Sequence, residues 1–256
     1  MSMSNKTVVA NQYTTSDRLN TRISIHEKYS RNKHPFGEWI VSHYALQPGE
    51  RVLELGCGTG SMWQNITLPP DCHVTLTDLY PGMLDTAKGN TQHLGATYAI
   101  CDAMDIPYAD HSFDVVIANM MLYHVPDIDK ALCEIRRVLK PEGRFFAATN
   151  GEHGAIEAVL EMLNLPCTAI HRFTLQNGIA QLAAHFQQID CRRRDDALDI
   201  TNLHDLIGYL RSMQGLTVLS DIPDDHLLAV FSAHMKNGTL SLPKEYGLFI
   251  CTGISR

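Results

Sequence analysis

The stretch that most constrains this chain is Val52-Leu-Glu-Leu-Gly-Cys-Gly-Thr-Gly60, where a short apolar run breaks into three glycines at alternate positions. Val52, Leu53 and Leu55 read as a buried strand, and Gly56, Gly58 and Gly60 mark its abrupt end. Glycine reaches positive φ without a steric penalty and, lacking a Cβ, lets a small molecule approach the main chain. A strand that runs into such a loop is a place where backbone meets ligand. The spacing narrows the ligand. A dinucleotide-binding turn needs Gly-x-Gly-x-x-Gly or Ala, but the third residue after Gly58 is Ser61, and the third glycine comes one position early at Gly60. No Gly-Lys-Ser/Thr follows, which excludes a loop for nucleoside triphosphates.

Around this loop the sequence alternates between strand and helix patterns. His73-Val-Thr-Leu-Thr-Asp78, Tyr98 to Asp102, the apolar run from Phe113 to Leu122 and Arg144 to Asn150 read as strands. Ser61 to Thr67 is expected to open a helix that Pro69-Pro70 ends, and Met83 to Leu94 a second helix closed by Gly95. A third starts at Asp127 with Ile128, Ala131, Leu132, Ile135, Val138 and Leu139 on one stripe, before a turn at Lys140-Pro-Glu-Gly143. Repeated β-α units with right-handed crossovers produce a parallel sheet. Asp78 stands twenty residues after Gly58 at the carboxyl end of its strand, where an acidic side chain in a doubly wound sheet meets ribose hydroxyls, and Asn119 sits near the switch point. Upstream, helices are expected at 16–30 and 35–45. Downstream, helices are expected at 154–164, 175–185, 202–213 and 224–236, with strands at 186–192 and 248–252.

Composition closes off several function classes. A formal net charge of −7 offers no basic face to nucleic acid, and Arg192-Arg193-Arg194 is followed at once by Asp195-Asp196, the pattern of a solvated, self-neutralised edge. Seven cysteines include no C-x-x-C pair, and thirteen histidines form no H-x-x-x-H arrangement with an acidic partner. We therefore expect a reduced protein with no disulfide framework and no metal. Residues 1–15 lack the apolar core of a signal peptide and no run approaches a membrane span, so a cytoplasmic location without a membrane partner is expected.

The run Glu54-x-Gly56-x-Gly58-x-Gly60 resembles the first motif of the class I S-adenosylmethionine-dependent methyltransferases. The stretch through Asn150 keeps that resemblance in order, in the manner of the small-molecule, type 11-like members. The resemblance implies a doubly wound, seven-stranded, mostly parallel α/β sheet of Rossmann-like form, with N-terminal lid helices and a helical insertion late in the chain. Residues 1–45 would be the lid, 46–150 the cofactor-binding core, and 151–256 the substrate-pocket helices and last strands, the final one antiparallel, all in one structural domain. The implied cofactor is S-adenosylmethionine. Glu54 would face its ammonium group, Gly56, Gly58 and Gly60 its backbone-contacting edge, Asp78 its ribose hydroxyls, and Asp102 with the Ala103 N–H its adenine, with Leu79 also among the cofactor-binding residues. Asn119 joins this set, as does Tyr29 of the lid, with Tyr13, Arg22 and His26 beside it. For Glu54, Asp78 and Asp102 a plain capping or turn role is the alternative.

The tetrad Tyr123-His-Val-Pro126 resembles a continuation found in small-molecule methyltransferases. Tyr123, His124 and His153 are the candidates for a general base, each with an alternative as a turn or helix-start residue. The implied function is methyl transfer to an O, N, S or C nucleophile of a small-molecule acceptor. The alternatives are a cofactor-binding protein without transfer activity and methylation of a protein or RNA. The Asn-Pro-Pro-Tyr tetrad of amino-methylating nucleic-acid enzymes is replaced here by Asn119-Met-Met-Leu.

Overall fold

In the computed structural model, which describes residues 24–167, 172–213, 217–219 and 221–254, the glycine loop leaves the centre of a sheet. The strands are β1 (Arg51–Leu55), β2 (His73–Asp78), β3 (Thr97–Ile100), β4 (Phe113–Asn119), β5 (Leu139–Asn150), β6 (Phe186–Ile200) and β7 (Leu240–Ile254), in the order β3-β2-β1-β4-β5-β7-β6. β1 pairs in parallel with β2 on one side and β4 on the other, and β3 and β5 extend the parallel array. The chain thus winds outward from β1 through β3, then returns to β4. The carboxyl ends of β1 and β4 form the switch point at which open α/β sheets bind ligands. This is the doubly wound seven-stranded α/β architecture expected from the sequence.

The chain divides into two compact units. The first comprises His34–Asn150, Arg172–Arg193 and Gly247–Arg256 and holds the glycine loop. Its central strands are buried on both faces, with four of five residues of β1 and six of seven of β4 inaccessible, as a sheet covered by helices on either side requires. On one face Leu53, Leu55, Val116 and Phe145 pack with Leu132 and Ile135 of the helix Ile128–Val138. On the other, Val52, Val74, Ile117 and Phe146 pack with Ile40 and Tyr44 of the helix Phe36–Tyr44 and with Trp63. The period-two alternation along each strand sorts these side chains. Asp127 caps Ile128–Val138, its Oδ1 accepting the Lys130 N–H at 3.0 Å.

One expectation fails here. Ser61 to Thr67 is not a helix. Only Ser61–Trp63 forms a single 3₁₀ turn, so no helix dipole points at the loop. The Trp63 side chain is drawn into the core, and the chain beyond it carries β-branched Ile66 and Thr67 into Pro69-Pro70, which leaves no length for an α-helix to nucleate. Lys140-Pro-Glu-Gly143 falls within the span of β5, where the register shifts between the pairings Phe113↔Leu139 and Val115↔Arg144. Helix Met83–Leu94 is in fact an α-helix Pro81–Asn90 followed by a 3₁₀ turn Gln92–Leu94, with Gly95 left-handed at φ 60°.

The second unit comprises Met1–Lys33, Gly151–His171 and Arg194–Tyr246. Residues 24–29 are helical, and the helices Ala155–Met162, Leu203–Arg211 and Asp224–His234 follow. Ile25, Val159, Leu206, Ile207, Leu227 and Phe231 make its core with Leu198, Ile200, Leu240 and Leu242 from the strands. The solvated edge expected at 192–196 is corrected here. Arg194 and Asp196 are buried on the same side of a strand whose alternate residues, Arg193 and Asp195, are exposed. The buried Lys244 meets Asp196 Oδ2 at 2.6 Å and donates to Ser30 Oγ at 2.6 Å, a pairing that buried charge demands. Of the expected lid residues, Tyr13 and Arg22 lie outside the described residues. No helix among those described is long and apolar enough to cross a membrane.

Candidate functional site

All three glycines adopt positive φ, 66° at Gly56, 56° at Gly58 and 69° at Gly60, but they do so for different reasons. A Cβ at Gly56 would lie 2.9 Å from Met121 Cβ, and one at Gly60 would lie 2.9 Å from Thr91 Cγ2 and 3.3 Å from Ala87 Cβ. Those two let the loop pack against its neighbours. Among the described residues, a Cβ at Gly58 would meet nothing within 4 Å. Gly58 is the member of the trio whose bare backbone faces open space.

The loop is held rigidly. The Cys57 N–H donates to Thr77 O at 2.8 Å, Asn90 Nδ2 to Thr59 O at 2.9 Å, and Thr77 Oγ1 to Glu54 O at 2.7 Å. Asp78, 7% exposed at the end of β2, joins two loops: Oδ2 accepts the Gly58 N–H and Oδ1 the Tyr80 N–H, both at 2.9 Å. Burial raises its pKa, while those amides pull the other way. A carboxylate has about four acceptor positions, so each oxygen keeps capacity for a ligand hydroxyl. Beside it, Leu79 is 39% exposed, and Ile100, the register partner of Asp78 on β3, is 57% exposed. Large apolar side chains left open at strand ends suit the face of a heteroaromatic ring. Sequence reasoning missed Ile100, whose only signal was its place two positions before Asp102.

Glu54 lies deep in the fold. It is 2% exposed, with Oε2 accepting the Trp63 indole N–H at 2.6 Å and Oε1 accepting Asn119 Nδ2 at 3.0 Å. Asn119 Nδ2 also lies 2.6 Å from the Tyr44 hydroxyl. Burial drives the Glu54 pKa from 4.5 to about 7 against the two donors, with the Asp78 charge adding to the rise. Trp63 and Tyr44 are further residues missed by sequence reasoning, and the expected helix at 61–67 hid the first of them. Asn119 Oδ1 is buried and finds no hydrogen-bond partner among the described residues, a vacancy that an N–H donor on a ligand would fill. Burial pushes the Cys57 thiol well up and so disfavours its thiolate.

Asp102 folds back on its own loop, Oδ1 accepting the Met104 N–H at 2.9 Å, next to the buried Ala103. Tyr123 and His124 form a 3₁₀ turn, Leu122–His124, after β4, their rings 4.5 Å apart. His153 and Tyr29 belong to the other unit. The His153 N–H donates to Glu245 Oε2 at 3.0 Å, and the Tyr29 hydroxyl donates to Asp205 Oδ2 at 2.5 Å. The structure therefore brings together Glu54, the glycines, Asp78, Leu79 and Asn119 within one unit, with Asp102 and Ala103 on the loop after the neighbouring strand.

The family profile described as "Methyltransferase domain" matches residues 53–147. A demethylmenaquinone methyltransferase of Staphylococcus haemolyticus is 34% identical over 140 residues, 54% of this chain and 56% of that protein. A malonyl-[acyl-carrier protein] O-methyltransferase of Erwinia billingiae is 29% identical over 182 residues, 70% of this chain and 69% of that protein. Among solved structures, the [4+2]-cyclase SpnF superposes with a TM-score of 0.61 at 18% identity, covering 100% of this chain and 98% of that one. The chain spans about half the length of several of the curated relatives it matches.

Proposed function

We propose that this chain, which belongs to the class I S-adenosylmethionine-dependent methyltransferases, transfers a methyl group from S-adenosylmethionine to an O, N, S or C nucleophile of a small molecule. The observation that carries the reading is the open backbone at Gly58 directly bonded to the buried carboxylate of Asp78. Together they offer a steric gap and a double acceptor for a ribose diol. Asn119 Oδ1, buried with no hydrogen-bond partner among the described residues, and Glu54, buried among its donors, suit a cationic ammonium. Leu79 supplies an apolar face, and Asp102 with Ala103 an edge for the adenine.

The sulfonium of the cofactor supplies an already activated methyl group. What remains for the protein is alignment of donor and acceptor, worth roughly 7–11 kcal/mol. Glu54, Trp63, Asn119 and Tyr44 form one hydrogen-bonded block that fixes the end of β1, and Asp78 fixes the loop to β2, so the cofactor-facing groups need no reorganisation. Tyr123, His124 and His153 are our candidates for accepting a proton when the acceptor is a phenol, acid or thiol. Two relatives named for a quinone and for a malonyl thioester make a hydroxyl, carboxylate or activated ring carbon the first acceptors to try.

A second reading, cofactor binding without methyl transfer, is favoured by one observation: a structure named as a cyclase shares the fold over the whole of this chain. The test is calorimetric titration with S-adenosylmethionine, followed by turnover of radiolabelled methyl against quinols, carboxylic acids, amines and thiols. Binding with turnover establishes the first reading, binding without turnover on any acceptor the second, and no binding removes both.

A further inference from the structure

We propose that Asp129, Cys133 and His185, none of which belongs to the glycine-loop site, form a binding site for a divalent transition-metal ion of the zinc class. Asp129 and Cys133 are four residues apart on the helix Ile128–Val138, so their side chains rise from one face, one turn apart. His185 closes the turn after the helix Gly178–Leu182, its N–H bonded to Leu182 O at 2.9 Å, and it is 4% exposed, which holds its ring in place. A carboxylate oxygen, the thiol sulfur and a ring nitrogen of the three residues all lie within 4.8 Å of one another. Metal bonds of ~2.0–2.2 Å to nitrogen or oxygen and ~2.3 Å to sulfur put tetrahedral donors roughly 3.4–3.8 Å apart. The His185 Nε2 to Asp129 Oδ1 separation of 2.9 Å must open by about half an ångström. Asp129 has the room, since its side chain is 79% exposed.

The donor set selects the ion. Thiolate and imidazole favour zinc-like ions over calcium and magnesium, which take oxygen ligands. Three protein donors leave one tetrahedral position for water. In the ion-free arrangement Nε2 is shared with Asp129, and the buried Nδ1 has no hydrogen-bond partner among the described residues. Metal at Nε2 moves the ring proton to Nδ1, where it lacks the acceptor that ligating histidines normally have. The affinity therefore falls short of that of a closed structural site. Binding displaces the thiol proton, so affinity rises with pH. Bridging the helix to the segment at His185 raises stability by mass action on the folded form. The spacing Asp-x-x-x-Cys with a histidine more than fifty positions away carried no signal in the sequence, because only the fold brings the third donor in.

The test uses the full chain stripped of metal, with Co²⁺ as the spectroscopic probe and Zn²⁺ titrated against a chromophoric chelator. Parent, Cys133→Ser and Asp129→Asn are compared with Cys167→Ser, a change at another exposed thiol. Both Asp129 and Cys133 are exposed, so these variants keep the fold. We expect one Co²⁺ per chain with a thiolate-to-metal charge-transfer band, lost in Cys133→Ser and kept in Cys167→Ser. Zn²⁺ affinity should fall at least tenfold in Cys133→Ser and in Asp129→Asn, and Zn²⁺ should raise the melting temperature of parent and Cys167→Ser only. Absence of stoichiometric binding in the parent, a band that survives Cys133→Ser, or affinities within twofold of the parent in both site variants overturns the proposal.

Discussion

The Gly58 N–H donates to Asp78 Oδ2 at 2.9 Å across twenty positions of sequence, so the glycine with open space before it and the carboxylate we propose as the acceptor of ribose hydroxyls are one hydrogen-bonded unit. Asp78→Asn should break that unit. An amide offers one acceptor where the carboxylate offers two, so either Gly58 or Tyr80 loses its partner and a ligand hydroxyl loses a charged acceptor. With charged hydrogen bonds worth ~1.5–3 kcal/mol and water replacing part of the loss, affinity for S-adenosylmethionine should drop about tenfold or more by calorimetry. Unchanged affinity would remove Asp78 from the site.

The glycines should separate experimentally. Gly58→Ala carries only the cost of a left-handed backbone, roughly 1–2 kcal/mol, because its Cβ meets nothing within 4 Å among the described residues. Gly60→Ala adds a collision with Thr91 and Ala87 at 2.9 and 3.3 Å. We expect Gly60→Ala to lower the melting temperature more, and Gly58→Ala to lower cofactor affinity more per degree of melting temperature lost. The reverse order in both readouts would mean that the ligand approaches elsewhere.

Legibility followed the range of the interactions. Strand–glycine-loop–strand order, Asp78 and the helix after Asp127 were readable because apolar periodicity and capping are local. What escaped depends on contacts across the fold. The pattern around Trp63 suits a helix, but its indole is committed to Glu54 nine residues earlier. Opposite charges adjoining in sequence make Arg194 and Asp196 look solvated, whereas Lys244, which makes burial tolerable, comes from β7. Equal spacing also made the three glycines look equivalent, and only the neighbours of each missing Cβ distinguish them.

The helical unit should be acid-sensitive through His26. Burial, then the Lys244 charge, lower its pKa to about 4 from 6.5. A base with a depressed folded-state pKa contributes stability that is complete above the unfolded value, near 6.5, and is lost as pH falls toward 4, about 2 kcal/mol of it by pH 5. His26→Phe keeps a ring against Tyr209 and Tyr246, whose centroids lie 5.8 and 6.2 Å away, and removes the titration. Melting temperatures at pH 7 and pH 5 should differ less in His26→Phe than in the parent. An equal difference would place the acid sensitivity elsewhere.

Cofactor affinity should itself depend on pH through Glu54. In the free protein burial holds its pKa near 7, above the 4.5 of an ordinary glutamate, so the folded state gains from the neutral form below 4.5 and loses that gain as pH rises through 7. A bound ammonium reverses the balance by favouring the carboxylate. Binding below pH 7 must then release a proton, and affinity should rise about tenfold between pH 6 and pH 8 before levelling off, since each pH unit below the free pKa costs up to 1.36 kcal/mol. Calorimetry at pH 6.5 and pH 8 in two buffers of different ionisation enthalpy reads the released proton directly. Glu54→Gln keeps an acceptor for Trp63 and removes both the charge and the titration, so it should bind more weakly and release no proton at pH 6.5. If Glu54→Gln releases as much as the parent, the ammonium contacts some other group, and Glu54 serves only to tie β1 to Trp63 and Asn119.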